Sequence, residues 1–105
     1  MIEVVRTEVF AKWFERLRDE NAQARIARRV DRLEAGNAGD VKSLGDGVSE
    51  MRIDYGPGYR LYTARHGDTV VILLCGGDKS SQRRDIQIAK GLLRDIENGV
   101  GGWSN

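Results

Sequence analysis

Glu50-Met51-Arg52-Ile53-Asp54-Tyr55-Gly56-Pro57-Gly58-Tyr59-Arg60-Leu61-Tyr62 is the stretch that decides the fold. Apolar Met51, Ile53 and Tyr55 alternate with Glu50, Arg52 and Asp54, the period of two that gives a strand one buried face. The alternation resumes after the glycines, so residues 48–55 and 59–65 read as a β-hairpin around a three-residue loop, with Gly58 supplying a positive φ. That register sets Tyr55 opposite Tyr59, Ile53 opposite Leu61 and Met51 opposite Thr63 on the core face. Asp54 then faces Arg60, and Arg52 faces Tyr62, on the other.

Downstream, Gly67-Asp68 predicts a two-residue turn into an apolar strand from Val70 to Cys75. This turn places Leu74 beside Leu61 on the core face, and Leu73 and Cys75 beside Tyr62 and Arg60 on the opposite face. Apolar on both sides, the strand is expected to be central. Gly76 and Gly77 are expected to let the chain leave the sheet. Ser81 then caps a helix in which Ile86, Ala89, Leu92, Leu93 and Ile96 share one side and shield part of the second face.

Upstream, Val41 to Leu44 reads as a short strand within a turn-rich region, and Ile2 to Val5 as β-prone. Thr7 caps a predicted helix over 8–19 carrying Val9, Phe10, Trp13, Phe14 and Leu17. Asn21 caps a second, with Ile26, Ala27, Val30 and Leu33, ending near Gly36. The short link between them predicts an antiparallel helical hairpin. The whole reads as an α+β domain: an antiparallel sheet of about four or five strands, an N-terminal helical hairpin over one face and a C-terminal helix. Residues 1–98 are expected to form a single domain, and 99–105, which include Trp103, a flexible tail.

Composition narrows the function. The chain has 105 residues, 40% hydrophobic and 31% charged, with a formal net charge of only +1, so contact with nucleic acid must come from locally clustered Arg and Lys. With one histidine, His66, and one cysteine, Cys75, no internal disulfide or His/Cys zinc site can be assembled, and no cofactor is expected. The charged N-terminus lacks a signal-peptide core, and no apolar run approaches a membrane span, so a cytoplasmic protein with no membrane partner is expected. Gly76-Gly77-Asp78-Lys79-Ser80 lacks the spacing of a nucleotide-binding loop. Cys75 reads as a buried apolar residue, and His66 sits in a turn, outside any cleft that would orient a general base.

The expected polar face gathers Glu50, Arg52, Asp54, Arg60 and Tyr62, with Lys79 arriving from the strand's end. Metal-free RNA cleavage needs a base for the 2′-hydroxyl, an acid for the leaving oxygen and cations for the transition state. Arg52, Arg60 and Lys79 suit the last role, Arg as a planar fork and Lys as a compact charge. Glu50 and Lys79 are the candidate bases, and Tyr62 can donate or accept a proton. The plainer alternative makes Arg60–Asp54 and Arg52–Glu50 surface ion pairs. Arg25, Arg28, Arg29 and Arg32 form a basic stripe on the second helix. With Asp31 and Glu34 close by, it reads chiefly as a solvated, salt-laced face.

The segments E-M-R-I-D (50–54), G-Y-R-L-Y (58–62) and L-L-C-G-G-D-K-S-S-Q (73–82) resemble the RelE/ParE toxin superfamily, and most closely its HigB-like addiction-module killer proteins. The resemblance covers nearly the whole chain. It implies the toxin of a type II toxin–antitoxin system that cleaves mRNA in the ribosomal A site without a metal. Its implied partners are the ribosome, mRNA and a small helix-turn-helix antitoxin, with operator DNA reached only through the antitoxin. Arg60 matches the strand arginine of such toxins, Arg52 a basic position of the preceding strand, and Lys79 the basic position after the last strand. Glu50 departs from the pattern, since RelE is basic there. Where relatives place a tyrosine or histidine this chain has Gln82, Arg83, Arg84 and Asp85, so Tyr62, Glu50 and Gln82 are the assisting candidates. The alternatives are a ParE-like, non-catalytic inhibitor of DNA gyrase and a degenerate toxin that only binds its antitoxin.

Overall fold

The computed structural model describes residues 2–99. Beyond Gly99, the expected tail and its Trp103 lie outside the described residues. The chain runs β1 (Glu3–Arg6), α1 (Glu8–Arg16), α2 (Glu20–Glu34), β2 (Val41–Gly45), β3 (Val48–Ile53), β4 (Tyr59–His66), β5 (Val70–Gly77), a 3₁₀ turn (Lys79–Ser81) and α3 (Gln82–Glu97). The fold is α+β, and its five strands lie in the order β1-β5-β4-β3-β2. Every pairing is antiparallel except the edge pair β1–β5, which is parallel.

The sheet is covered on both sides. Phe10 of α1 and Ala22, Ile26 and Leu33 of α2 bury against Met51, Ile53, Tyr59, Leu61, Val71 and Leu73. Ala89 and Leu93 of α3 bury against Val5, Val48, Tyr62, Ala64, Ile72, Leu74 and Cys75. Burial on both faces makes β5 an interior strand that reads as an uninterrupted apolar run.

Thr7 caps α1 as expected: its hydroxyl accepts from the Phe10 N–H at 3.1 Å and donates to the Leu74 carbonyl at 2.6 Å. Three other boundaries differ. Helix α1 stops at Arg16, short of residue 19, because the Phe14 carbonyl accepts from the Leu17 N–H and from the Gln23 side chain. Asp19, not Asn21, caps α2; its carboxylate accepts from the Asn21 and Ala22 N–H groups. At α3 the side-chain cap belongs to Asp78, which closes a capping box with Ser81 around the 3₁₀ turn, and the Ser81 side chain does not cap α3 itself.

The β3–β4 hairpin is displaced by two residues from the expected register: Met51 faces Leu61 and Ile53 faces Tyr59. Tyr55 is not a strand residue. Its hydroxyl donates to Asp19 at 2.9 Å and Arg25 lies over its ring at 4.5 Å, drawing it into the loop. A two-residue slip preserves faces, since the side-chain period is two. Gly58 takes its positive φ, 79°, as anticipated.

Between β4 and β5 the turn spans 67–69, one residue longer than expected, because His66 pairs with Val70. A bulge follows: Thr63 faces Leu73 and Tyr62 faces Cys75, leaving Leu74 as the extra residue. Leu73 therefore joins the α1/α2 core, while Leu74 and Cys75 both face α3, reversing the expected placement of the two leucines.

Gly76 and Gly77 serve packing rather than turning. Neither has a positive φ. A Cβ on Gly76 would overlap the indole of Trp13, and one on Gly77 would overlap the Asp85 carboxylate. Gly76→Ala should therefore cost about 1–3 kcal/mol by overpacking. Thermal unfolding should show a lowered midpoint, by roughly 4–8 °C per kcal/mol in a domain of this size. An unchanged midpoint would mean that Trp13 does not seal this backbone.

Candidate functional site

Residues 50, 52, 60 and 62 alternate onto the α3 face of the β3–β4 pair, so the register places four polar side chains in one patch. At its centre lies Glu50, fully buried on a strand interior. Its Oε2 meets Arg52 Nε at 3.0 Å, and its Oε1 accepts from Gln82 Nε2 at 2.8 Å and lies 3.2 Å from Arg60 Nε. An unpaired carboxylate this deep would be strongly disfavoured; hydrogen bonds from Arg52 and Gln82 and the adjacent charge of Arg60 compensate it from three elements.

Both arginines are thus gripped at Nε, which leaves their terminal nitrogens for other partners. Arg60 is almost enclosed, with 11% of its side chain exposed, and one terminal nitrogen donates to the Gly58 carbonyl at 2.9 Å. Its Nε–H is close to Glu50 but is not aimed for a hydrogen bond. Arg52 is 45% exposed and forms the outer wall. One carboxylate against two guanidiniums leaves the patch cationic.

The Asp54–Arg60 pairing expected from the sequence does not occur. The register brings Arg60 to Glu50, while Asp54 lies beyond the end of β3 beside Arg25, Arg28, Arg29 and Arg32. Lys79 opens the 3₁₀ turn, exposed at the surface. Its backbone N–H reaches the Pro57 carbonyl at 3.4 Å, which docks the turn on the β3–β4 loop. The structure thus brings Glu50, Arg52, Arg60, Tyr62 and Gln82 together, with Lys79 across the Gly56–Gly58 loop.

Behind the arginines lies a second polar cluster. Tyr62 has no solvent exposure and its hydroxyl has no hydrogen-bond partner. Burial, then the negative charges of Glu50 and Asp85, holds its proton far more tightly than in a free tyrosine. Asp85, itself buried, accepts from the Ser81 hydroxyl, and its backbone carbonyl accepts from Cys75 Sγ at 3.5 Å. Burial and the Asp85 charge push the Cys75 thiol up to about 12. Sequence reasoning missed Ser81 and Asp85 as members of this cluster. Gly77, which leaves room for the Asp85 carboxylate, was the only local sign of it. Among the described residues no group of His, Cys, Asp and Glu is arranged to hold a metal ion. No described helix is long and apolar enough to cross a membrane.

Comparison with known proteins matches residues 12–94 to the family model "Phage derived protein Gp49-like (DUF891)". A protein of Haemophilus influenzae, described as "Uncharacterized protein", is 46% identical over 95 residues, covering 90% of this chain and 96% of its own length. No solved structure matches significantly.

Two measurements test the clamp and the cluster behind it. Glu50→Ala should destabilise by about 2–4 kcal/mol in urea unfolding, somewhat less than for a fully enclosed pair because Arg52 can relax into water. A loss below about 0.5 kcal/mol, the scale of an exposed pair, would show that Glu50 holds nothing. The buried Cys75 and Tyr62 keep protons that the unfolded chain releases from about pH 9 to 10 upward. The stability that these two groups contribute is therefore full below about pH 9 and should fall as pH rises toward 12. Tyr62→Phe should flatten part of that decline and cost little at pH 7, because the lost hydroxyl had no partner.

Proposed function

The chain belongs to the phage-derived Gp49-like family, a toxin-like family related to the RelE/ParE-type toxins, and from that premise we propose that it is the toxin of a type II toxin–antitoxin pair. In this reading it acts in the cytoplasm as a HigB-like, ribosome-dependent mRNA endoribonuclease, neutralised by a small helix-turn-helix antitoxin that also provides the link to operator DNA. The observation that carries the catalytic part is the Glu50 clamp. It holds two arginines by their Nε atoms on one face of the sheet, and a preorganised cationic surface is what a phosphoryl transition state requires.

The reaction is attack of a 2′-hydroxyl oxygen on the adjacent phosphorus, with loss of the 5′-oxygen of the next nucleotide. One O–P bond forms and one breaks, a proton leaves the 2′-hydroxyl and a proton reaches the leaving oxygen. Arg52 and Arg60 hold the non-bridging oxygens. Lys79 is the exposed candidate for proton transfer at the rim. Glu50 is fully buried, with both oxygens engaged by the arginines and Gln82, so it acts by positioning them and not as the base. Tyr62 stands behind Arg60 with its hydroxyl enclosed, so it too acts through its neighbours.

A translating extract programmed with a defined mRNA tests this reading. Wild type should cut the message only while it is being translated, and Arg60→Ala should be slower by about 100-fold or more, the scale of losing one transition-state donor. Intact message alongside arrested growth would overturn it, and inhibition of gyrase supercoiling by the purified chain would then identify a ParE-like inhibitor. Harmless expression of the intact protein would leave only antitoxin binding.

A further inference from the structure

Helix α2 presents Arg25, Arg28, Arg29 and Arg32 at helical spacing i, i+3, i+4 and i+7, which places them on one side. They line a groove of about 160 Å³ closed by Ile53 and Asp54. A solvated, salt-laced face would pair these cations with Asp31, Glu34 or Asp54. Among the described residues no such pair forms: every ion pair within 4.0 Å involves other cations. Arg29 is instead tied down by neutral groups, donating to the Arg52 and Ala38 carbonyls. Burial and the neighbouring charge of Arg32 lower its proton affinity, the mark of crowded cations, and Asp40 only partly offsets this.

This groove lies on the opposite face of the sheet from the patch described above, and the two meet at the end of β3. β2 pairs with β3 only as far as Val41–Met51, so Arg52 and Ile53, paired with β4 on one side, lie beyond the end of β2 on the other. Arg52 sends its side chain to Glu50 on one face and its carbonyl to Arg29 from the other. A single strand thus separates the two cationic clusters. Tyr55, fixed by Asp19, holds Arg25 over its ring at the same end.

We propose that the α2 groove is a second phosphate-binding surface, over which an RNA strand held at Arg52 and Arg60 continues around the end of β3; this rests on RNA being the substrate. Guanidinium forks match phosphate oxygens bidentately, and four of them gathered without a paired carboxylate suit a nucleic-acid backbone. Arg25 and Arg28 are exposed and bind the strand, whereas Arg29 shapes the groove.

Binding without cleavage separates the two ideas. Affinity is measured against salt for a short labelled single-stranded RNA and for empty ribosomes, using wild type, the Arg25→Ala/Arg28→Ala double variant and the Arg25→Lys/Arg28→Lys double variant. Cooperative unfolding of each serves as the folding control. The alanine pair should make the slope of log affinity against log salt shallower by about 1.4, two phosphates at about 0.7 each, and the lysine pair should restore it. Loss on both targets identifies the strand itself and supports the proposal; loss on ribosomes alone assigns the groove to ribosomal RNA and overturns the path proposed for the strand. Equal slopes for wild type and the alanine pair on both targets would overturn it. So would a polyglutamate peptide whose binding, unlike that of RNA, depends on Arg25 and Arg28, since that result assigns the groove to an acidic protein. Should message stay uncut in the translating extract while the slope still depends on these arginines, the nuclease reading falls and the phosphate surface stands.

Discussion

A carboxylate with no solvent exposure must be compensated where it lies, and Glu50 imposes that requirement on the whole α3 face of the sheet. Its partners come from β3, β4 and the first turn of α3, so satisfying one charge fixes the hairpin register, the approach of α3 and the direction of two arginines at once. Sliding the hairpin by a further two residues would put Arg60 out of reach and leave the charge stranded. A requirement of folding and a requirement of phosphate chemistry are thus met by the same contacts. The site is rigid because the core would be worse without it.

The faces of β3 and β4 were legible in the sequence and their register was not, for one reason. Alternation reports parity, and the β3–β4 slip was by two, so Glu50, Arg52, Arg60 and Tyr62 stayed on a common face even though each partner assignment was wrong. Loop length was misread because Tyr55 looks like a strand residue, while its actual partner, Asp19, lies 36 positions away and leaves no local signature. The bulge at Leu74 was invisible for a related reason: within a run of apolar residues, an extra one changes no pattern. Gly76 and Gly77 suggested a turn, yet what demands them is Trp13 on one side and Asp85 on the other, contacts made across the fold. The chemistry was partly legible. Arg52, Arg60 and Gln82 could be named, but their dependence on a buried Glu50 emerged only from three-dimensional packing.

The two layers of helix use the sheet differently. α1 and α2 seal a hydrocarbon face dominated by Phe10, Ile26, Met51 and Leu61, whereas α3 covers a mixed face where apolar contacts at Ala89 and Leu93 give way toward its start to Asp85 and Gln82. The helix is therefore anchored by its later turns and polar where it meets the arginines. Glu50, Arg52 and Arg60 thus sit toward the end of the sheet that faces the Gly56–Gly58 loop, in a chain whose net charge is only +1.

The position of β1 bears on how this molecule comes into being. Among the described residues its strand partner is β5 alone, and the Thr7 hydroxyl that starts α1 is also bonded to the Leu74 carbonyl, 67 residues later. A chain emerging from its N-terminus must hold its first strand unpaired until its last has been made, and closing such a loop comes late in folding. Gln82, which completes the clamp on Glu50, follows β5 directly in the chain. Nascent fragments ending before β5 therefore lack both the edge strand's mate and the donor that steadies the arginines. Synthesis itself acts as a timer, and the arginine patch is assembled only once β5 and the start of α3 have left the ribosome.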